Sequence, residues 1–136
     1  MRDLHNNISV KRVVSPVSQS GNAAIVGAIV DRSGYESLEY VITLGTITTA
    51  GTTYTALVEE SDVADLSTKN AVADAQLLGT EAGASFVDSE VNTSKRIGYI
   101  GNKRYTRLTL TPAGNTGAST IAAVAVLGDP ALRPAA

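Results

Sequence analysis

The chain predicts an all-β fold: a jelly-roll-like antiparallel β-sandwich with an extended arm at each end. Three observations carry that expectation. Val, Ile and Thr make up about a quarter of the 136 residues, the bias of a pleated, half-buried surface. Gly and Thr clusters punctuate the apolar runs at short intervals, as turns do between the strands of a sandwich or barrel. Good helix formers are scarce outside one central stretch. The length suits one domain whose core needs no staples. It divides into an N-terminal arm over 1–21, a sandwich over 22–128 and a C-terminal arm over 129–136.

In the first segment Ile8 and Val10 share a face while Val13 falls on the opposite one, across the Lys11-Arg12 interruption. A bulge at the basic pair would restore the register. Pro16 cannot donate to a ladder, so an arm is expected in preference to a core strand. Residues 24–30 are apolar on both faces and predict a strand covered on both sides. Asp31-Arg32-Ser33-Gly34 turns the chain. Leu38, Tyr40, Ile42 and Leu44 then alternate with more polar neighbours at a period of two. After a Gly/Thr/Ala loop over 45–53, Tyr54, Ala56 and Val58 share one face of the next strand. Residues 61–79 predict a long loop with one helical turn and a strand near 72–78, and residues 86–91 an edge strand. Residues 96–100 and 105–111 form a hairpin through Gly101-Asn102-Lys103, with Thr106, Leu108 and Leu110 on one face. A turn over 112–117 leads to an Ala-rich strand at 120–127, apolar on both faces and therefore central. The two prolines of the tail favour an extended arm.

Charge and composition narrow the function. A net charge of −2 and only 18% charged residues argue against a nucleic-acid coat, which needs a basic face, and against a disordered tail. The absence of Cys excludes disulfide scaffolds and thiolate chemistry. No apolar run approaches the length of a spanning helix, and residues 1–7 lack the apolar core of a signal peptide. Synthesis in a cytoplasm is expected.

No constellation points to catalysis. His5, the one imidazole, lies in the N-terminal arm, where nothing would position a nucleophile beside it. Glu59, Glu60, Asp62 and Asp65 are the densest carboxylates, but their spacing fits no calcium loop, and they read as a solvated strand end. Lys95, Arg96, Lys103, Arg104 and Arg107 gather around one hairpin. The Gly98-Tyr99-Ile100-Gly101 between them lies on strands, whereas the nucleic-acid clamp of that spacing joins two helices. The basic hairpin either meets acidic groups of a partner protein or is solvated. Phosphate loops, nucleophile elbows and paired metal-binding histidines are missing. The expectation is no catalytic residue, no metal, no cofactor and no nucleic-acid or membrane partner. The chain reads as a protein that binds or builds. A carbohydrate-binding jelly roll is the alternative from another class, and it would want exposed aromatics that this chain scarcely supplies.

A resemblance adds to this reading. Met1-Arg2-Asp3-Leu4, Gly34-Tyr35-Glu36-Ser37 running into Val41-Ile42-Thr43, and Leu57-Val58-Glu59-Glu60-Ser61-Asp62 follow in order. Leu77-Leu78-Gly79-Thr80, the run from Arg96-Ile97-Gly98-Tyr99 to Arg104-Tyr105, and Gly128-Asp129-Pro130 with Leu132-Arg133-Pro134 complete the series. Together they resemble the jelly-roll cement, or decoration, proteins of tailed bacteriophage capsids. The likeness runs over nearly the whole chain through short structural motifs and departs in the long stretch 61–94. It implies a virion protein on the outer capsid surface, a homodimer that clamps major capsid protein subunits, with no enzyme activity. Other virion parts, such as a head-fibre base, a neck protein or a tail adaptor, share the architecture. The residues expected at the interface are Arg2, Leu4, Ile8, Val10 and Arg12 of the first arm, Arg104 and Arg107 of the hairpin, and Pro130, Leu132, Arg133 and Pro134 of the second arm.

Overall fold

A computed structural model describes residues 2–135; Met1 and Ala136, the outermost residues of the two expected arms, lie outside the described residues. Eleven strands follow in chain order: β1 (Ile8–Ser20), β2 (Ile25–Val26), β3 (Val30–Asp31), β4 (Tyr35–Ile47), β5 (Thr53–Ser61), β6 (Asn70–Ala71), β7 (Leu77–Leu78), β8 (Phe86–Val87), β9 (Ser94–Tyr99), β10 (Tyr105–Ala113) and β11 (Ala118–Pro130). One short helix, α1 (Glu81–Ala84), lies between β7 and β8.

The strands form two antiparallel sheets, in the orders β1-β11-β4-β9-β7 and β2-β10-β5-β6, with β3 also on β10 and β8 also on β5. β2 with β3, and β6 with β8, are interrupted pieces of single edge positions. Counted that way, and with the two-residue β7 set aside as an addition at the outer edge of β9, the sheets run first-eighth-third-sixth and second-seventh-fourth-fifth, which is the order of a jelly roll. The expected all-β sandwich is therefore the fold. Its core follows from period-two patterning. Leu38, Tyr40, Ile42 and Leu44 of β4 and Ile121, Ala123, Ala125 and Leu127 of β11 face Tyr54, Ala56 and Val58 of β5 and Leu108 and Leu110 of β10. The Tyr40 hydroxyl spans the layers to Thr106 Oγ1 (2.7 Å), so neither buried oxygen lacks a partner.

Three segments differ from the sequence reading. Residues 8–20 are a thirteen-residue strand on β11, where an arm was expected. The predicted bulge is present: the register shifts between Arg12 and Val14, and again between Val14 and Val17. These shifts let both Val13 and Val14 be buried, and they place Pro16 on an edge strand at an irregularity, where its missing N–H is tolerated. Asn115, itself buried, fastens the far end of β1. Its amide donates to the Gln19 and Gly21 carbonyls (3.1 Å each).

Residues 24–30 are not a central strand. They leave β10 after Gly27, whose N–H still donates to the Leu108 carbonyl (2.9 Å), because the next residue, Ala28, donates to the Val13 carbonyl of the opposite sheet (2.9 Å). A Cβ on Gly27 would lie 2.4 Å from the Leu108 oxygen, so only glycine fits this crossing. Val26 and Ile29 stay exposed.

The third difference is in 61–91. The strand expected near 72–78 is reduced to β7; the expected helical turn is the 3-10 turn Asp74–Gln76 just before it, and a further short helix follows at α1. The Glu81 carboxylate of α1 accepts the Val58 N–H (2.7 Å), and the Ser85 hydroxyl just beyond it accepts the Ala56 N–H (3.0 Å). Side chains thus satisfy the edge of β5 that a neighbouring strand would otherwise cover. The expected 86–91 strand is two residues long, with Phe86 stacked on Tyr54 (centroids 4.8 Å apart).

A candidate interface at the chain ends

The two terminal segments lie side by side. After Arg2 and Asp3 the chain makes one 3-10 turn at His5–Asn7. The Asp3 carboxylate accepts the Asn6 N–H (3.0 Å) and the Asn6 side-chain amide (2.8 Å). These bonds hold the Asp3 carboxyl below its ordinary range, the backbone one most strongly. β1 then pairs with β11 so that Ile8 faces Gly128, Val10 faces Val126 and Arg12 faces Val124. β11 continues through Asp129 and Pro130, two residues further than the expected arm boundary allows. Asp129 adopts a φ of 50° and accepts the Ser37 hydroxyl (2.9 Å). Among the described residues, 131–135 lie past the strand, and they are tied down at both ends. Ala131 donates to the Gly34 carbonyl and Ala135 to the Asn6 carbonyl (2.9 Å each).

Nine of the eleven expected interface residues therefore belong to one surface. Arg2, Leu4, Ile8, Val10, Arg12, Pro130, Leu132, Arg133 and Pro134 come together where two separate arms were expected. Leu4, Val10 and Leu132 are 57%, 56% and 83% exposed. His5 is exposed on the same turn.

Arg104 and Arg107 lie elsewhere and are paired inside the chain. Arg104 grips Asp31 with two bonds (2.9 and 2.8 Å), which hold the Asp31 carboxyl below its ordinary range. Arg107 bonds Glu59 (2.8 Å), which also receives Lys69 (2.9 Å). Burial pushes the Glu59 carboxyl up, but the two cations outweigh it and hold the group below its ordinary range. The rest of the basic hairpin is matched too: Lys95 by Glu90, Arg96 by Glu39 (3.9 Å) and Lys103 by Asp62. The carboxylate run 59–65 is likewise consumed internally, since Glu60 accepts the Tyr99 hydroxyl and Asp65 the Ser67 N–H (2.8 Å). Burial, then the bond to Glu60, pushes the Tyr99 hydroxyl pKa up. Arg32 donates to the Gly101 and Lys103 carbonyls (2.6 Å each) and lies over the Tyr99 ring.

Of the eleven Lys and Arg residues, Arg2, Lys11, Arg12 and Arg133 remain with no carboxylate or carbonyl partner among the described residues. All four are on β1 or the terminal segments. Beside them, the outer face of the first sheet carries apolar side chains the sequence reading did not single out. One row across the sheet runs Val10-Val126-Glu39-Gly98-Leu78, and the next Arg12-Val124-Val41-Arg96. The signal for them was the two-sided apolar character of 120–127. Among the described residues, no group of His, Cys, Asp and Glu could hold a metal ion, and no helix is long and apolar enough to cross a membrane.

Fold and surface together define a jelly-roll sandwich whose unpaired cations, among the described residues, lie on β1 and the terminal segments, beside the exposed Leu4, Val10 and Leu132. No protein-family model and no curated protein matches this sequence. Among solved structures the chain is similar to the PBSX exported protein XepA, at a TM-score of 0.61 and 14% identity over 97% of this chain. It spans 40% of that protein's chain. It is also similar to a chain of the cyanophage Pam1 capsid asymmetric unit, at a TM-score of 0.52 and 11% identity, covering 96% of this chain and 90% of that one. At these identities the likeness is one of fold.

Proposed function

We propose that this chain is a structural virion protein that binds the outside of an icosahedral phage capsid and clamps neighbouring major capsid protein subunits. The observation that carries the reading is the distribution of satisfied and unsatisfied groups. Among the described residues, seven cations are matched within the chain, and the four that are not lie beside Leu4, Val10 and Leu132 at the chain ends. A surface of that kind is built to be covered. The fold shared with a chain of the Pam1 capsid over 90% of its length supports the same reading. The protein acts as a homodimer, with the half-buried valines of the outer sheet face as the cover each copy offers the other. Two chain ends per dimer then reach two capsid subunits. A contact on the order of 800 Å² per partner gains from linkage, because the second attachment is intramolecular. In this reading the protein turns over no substrate and its product is mechanical stability of the shell.

The test uses particles made with and without the protein. Undecorated capsids assemble, release DNA at a lower temperature and rupture at a milder osmotic shock, and purified protein added back restores both limits. Equal rupture thresholds would overturn the clamp reading and leave an adaptor or fibre role as the better account.

A further inference from the structure

We propose that the outer edge of β1 at residues 8–12 is a docking edge for an extended acidic segment of a partner chain, which adds there as a further strand. The inference rests on the reading of the chain ends as the binding surface and names the chemistry of what binds. β1 is the last strand of its sheet, and alternate residues of such a strand turn their N–H and C=O groups outward. The two halves of β1 treat that edge differently. From Val13 onward it is closed: the Val13 carbonyl takes the Ala28 N–H, two register shifts bend the strand, and Pro16 has no N–H to offer. From Ile8 to Arg12 the register against β11 is unbroken, and no other segment pairs with it among the described residues. At 3.3 Å per residue this leaves about 16 Å of regular edge.

A cleft of about 570 Å³ opens beside this edge, between Lys11 and Arg12 on β1 and Ile29, Val30 and Ser33 at the edge of the other sheet, with Tyr35 at its margin. Its one acid, Asp31, is held by Arg104 through two bonds. The cleft is therefore positive, carrying two cations that no carboxylate among the described residues matches.

Charge selects the occupant. A second copy pairing edge to edge about a two-fold axis at Val10 would set Lys11 opposite Ser9 and Arg12 opposite Ile8, which leaves both cations of each copy without an anion. An acidic segment supplies the missing anions. Because neighbouring residues of a strand project to opposite faces, Lys11 and Arg12 call for acids at two adjacent positions of the incoming strand. Val10 and Ile29, 56% and 40% exposed, offer apolar contact on the two sides of the edge.

The experiment uses the full chain and labelled heptapeptides, read by fluorescence anisotropy. The parent probe is Thr-Val-Thr-Asp-Glu-Val-Thr with blocked ends; a second carries Lys-Lys in place of Asp-Glu. Two further versions of the parent are N-methylated on the odd or on the even backbone amides, which preserves charge and removes one edge's hydrogen bonds. The parent binds, the lysine probe binds about tenfold more weakly or worse, and one methylated version, but not the other, loses about tenfold. The variant Lys11→Glu/Arg12→Glu, altered only at exposed side chains, stays folded by circular dichroism and reverses the charge preference. Equal binding of both methylated probes with the parent overturns strand addition. Equal binding of acidic and lysine probes, or none by the parent, overturns the acidic partner. Since no particle is involved, this inference and the capsid reading fail separately: particles can go unbound while the acidic peptide still docks, or the reverse.

Discussion

The two outer faces of the sandwich are built from the same kind of strand and end in opposite conditions. On the second sheet, Arg107 of β10 stands opposite Glu59 of β5, with Lys69 closing the pair, and Thr109 and Thr111 continue the face beside Leu57 and Thr55. Every charge there has its counter-charge within the chain. On the first sheet the corresponding rows hold Val10, Val126, Val124 and Val41 around a single ion pair, Arg96 with Glu39 (3.9 Å), and Arg12 ends a row with no acid opposite it. The lesson is that an isolated chain can complete a polar face with its own ion pairs, whereas an apolar face needs another surface. The first sheet is thus the one expected to meet partners.

The comparison is broken most severely by removing its anchor. Glu59→Ala leaves Arg107 and Lys69 facing each other without an anion; side-chain exposures of 12% for Glu59 and 17% for Arg107 make the loss about 2 kcal/mol. Chemical denaturation by circular dichroism measures it. Glu59→Gln, which keeps an acceptor for Arg107, is expected to lose less. If both variants unfold like the wild type, the second face is not self-completed in the sense argued here.

Next in size is removal of residues 131–136. The fold survives, because β11 ends at Pro130, and the two backbone bonds to Gly34 and Asn6 account for a loss of about 1 kcal/mol. Occupancy on capsids is expected to fall about tenfold, the weight of one good anchor. Unchanged occupancy would remove the C-terminal segment from the interface.

Acid sharpens the contrast, because the two faces respond with opposite sign. The Glu59 carboxyl is depressed when folded, so its contribution is present above the unfolded value, about 4.3, and is lost as pH falls through the lower folded value. The Glu39 carboxyl on the first sheet is raised by burial, which Arg96 only partly offsets. Its penalty is absent below the unfolded value and grows as pH rises through the folded one. Glu39→Gln is therefore expected to stabilise the protein near pH 7 by about 0.5 kcal/mol, a figure kept small by solvent screening, with the gain vanishing in acid. A loss of stability at neutral pH would reverse the sign assigned to this face.

The smallest effect is on the free protein carrying Val10→Ser. Its side chain is 56% exposed, so unfolding shifts by no more than about 0.5 kcal/mol, while capsid binding weakens measurably. A large shift in stability would mean that Val10 is already covered in the monomer.

Much of this was legible in the residues themselves. Alternation at 38–44, 54–58 and 106–110 specified strands and their inward faces, because a side-chain period of two is a property of the extended backbone and needs no partner to be read. The repair of the broken register at Lys11-Arg12 by a bulge was legible for the same reason. Other features depended on neighbours far away in the chain. Whether residues 8–20 form an arm or a strand is decided by β11, more than a hundred positions on, and by the Asn115 amide. Residues 24–30 look central until Gly27 and Ala28 take carbonyls from opposite sheets. The basic hairpin looks like a binding patch until folding brings Asp31, Glu59 and Asp62 to it. The chain ends look like two arms until Ala135 reaches Asn6. Local pattern determines what a strand is and which way its side chains face. Which charges are neutralised, and which surface is left to be covered, is decided by pairings between distant segments that exist only once the two sheets have closed.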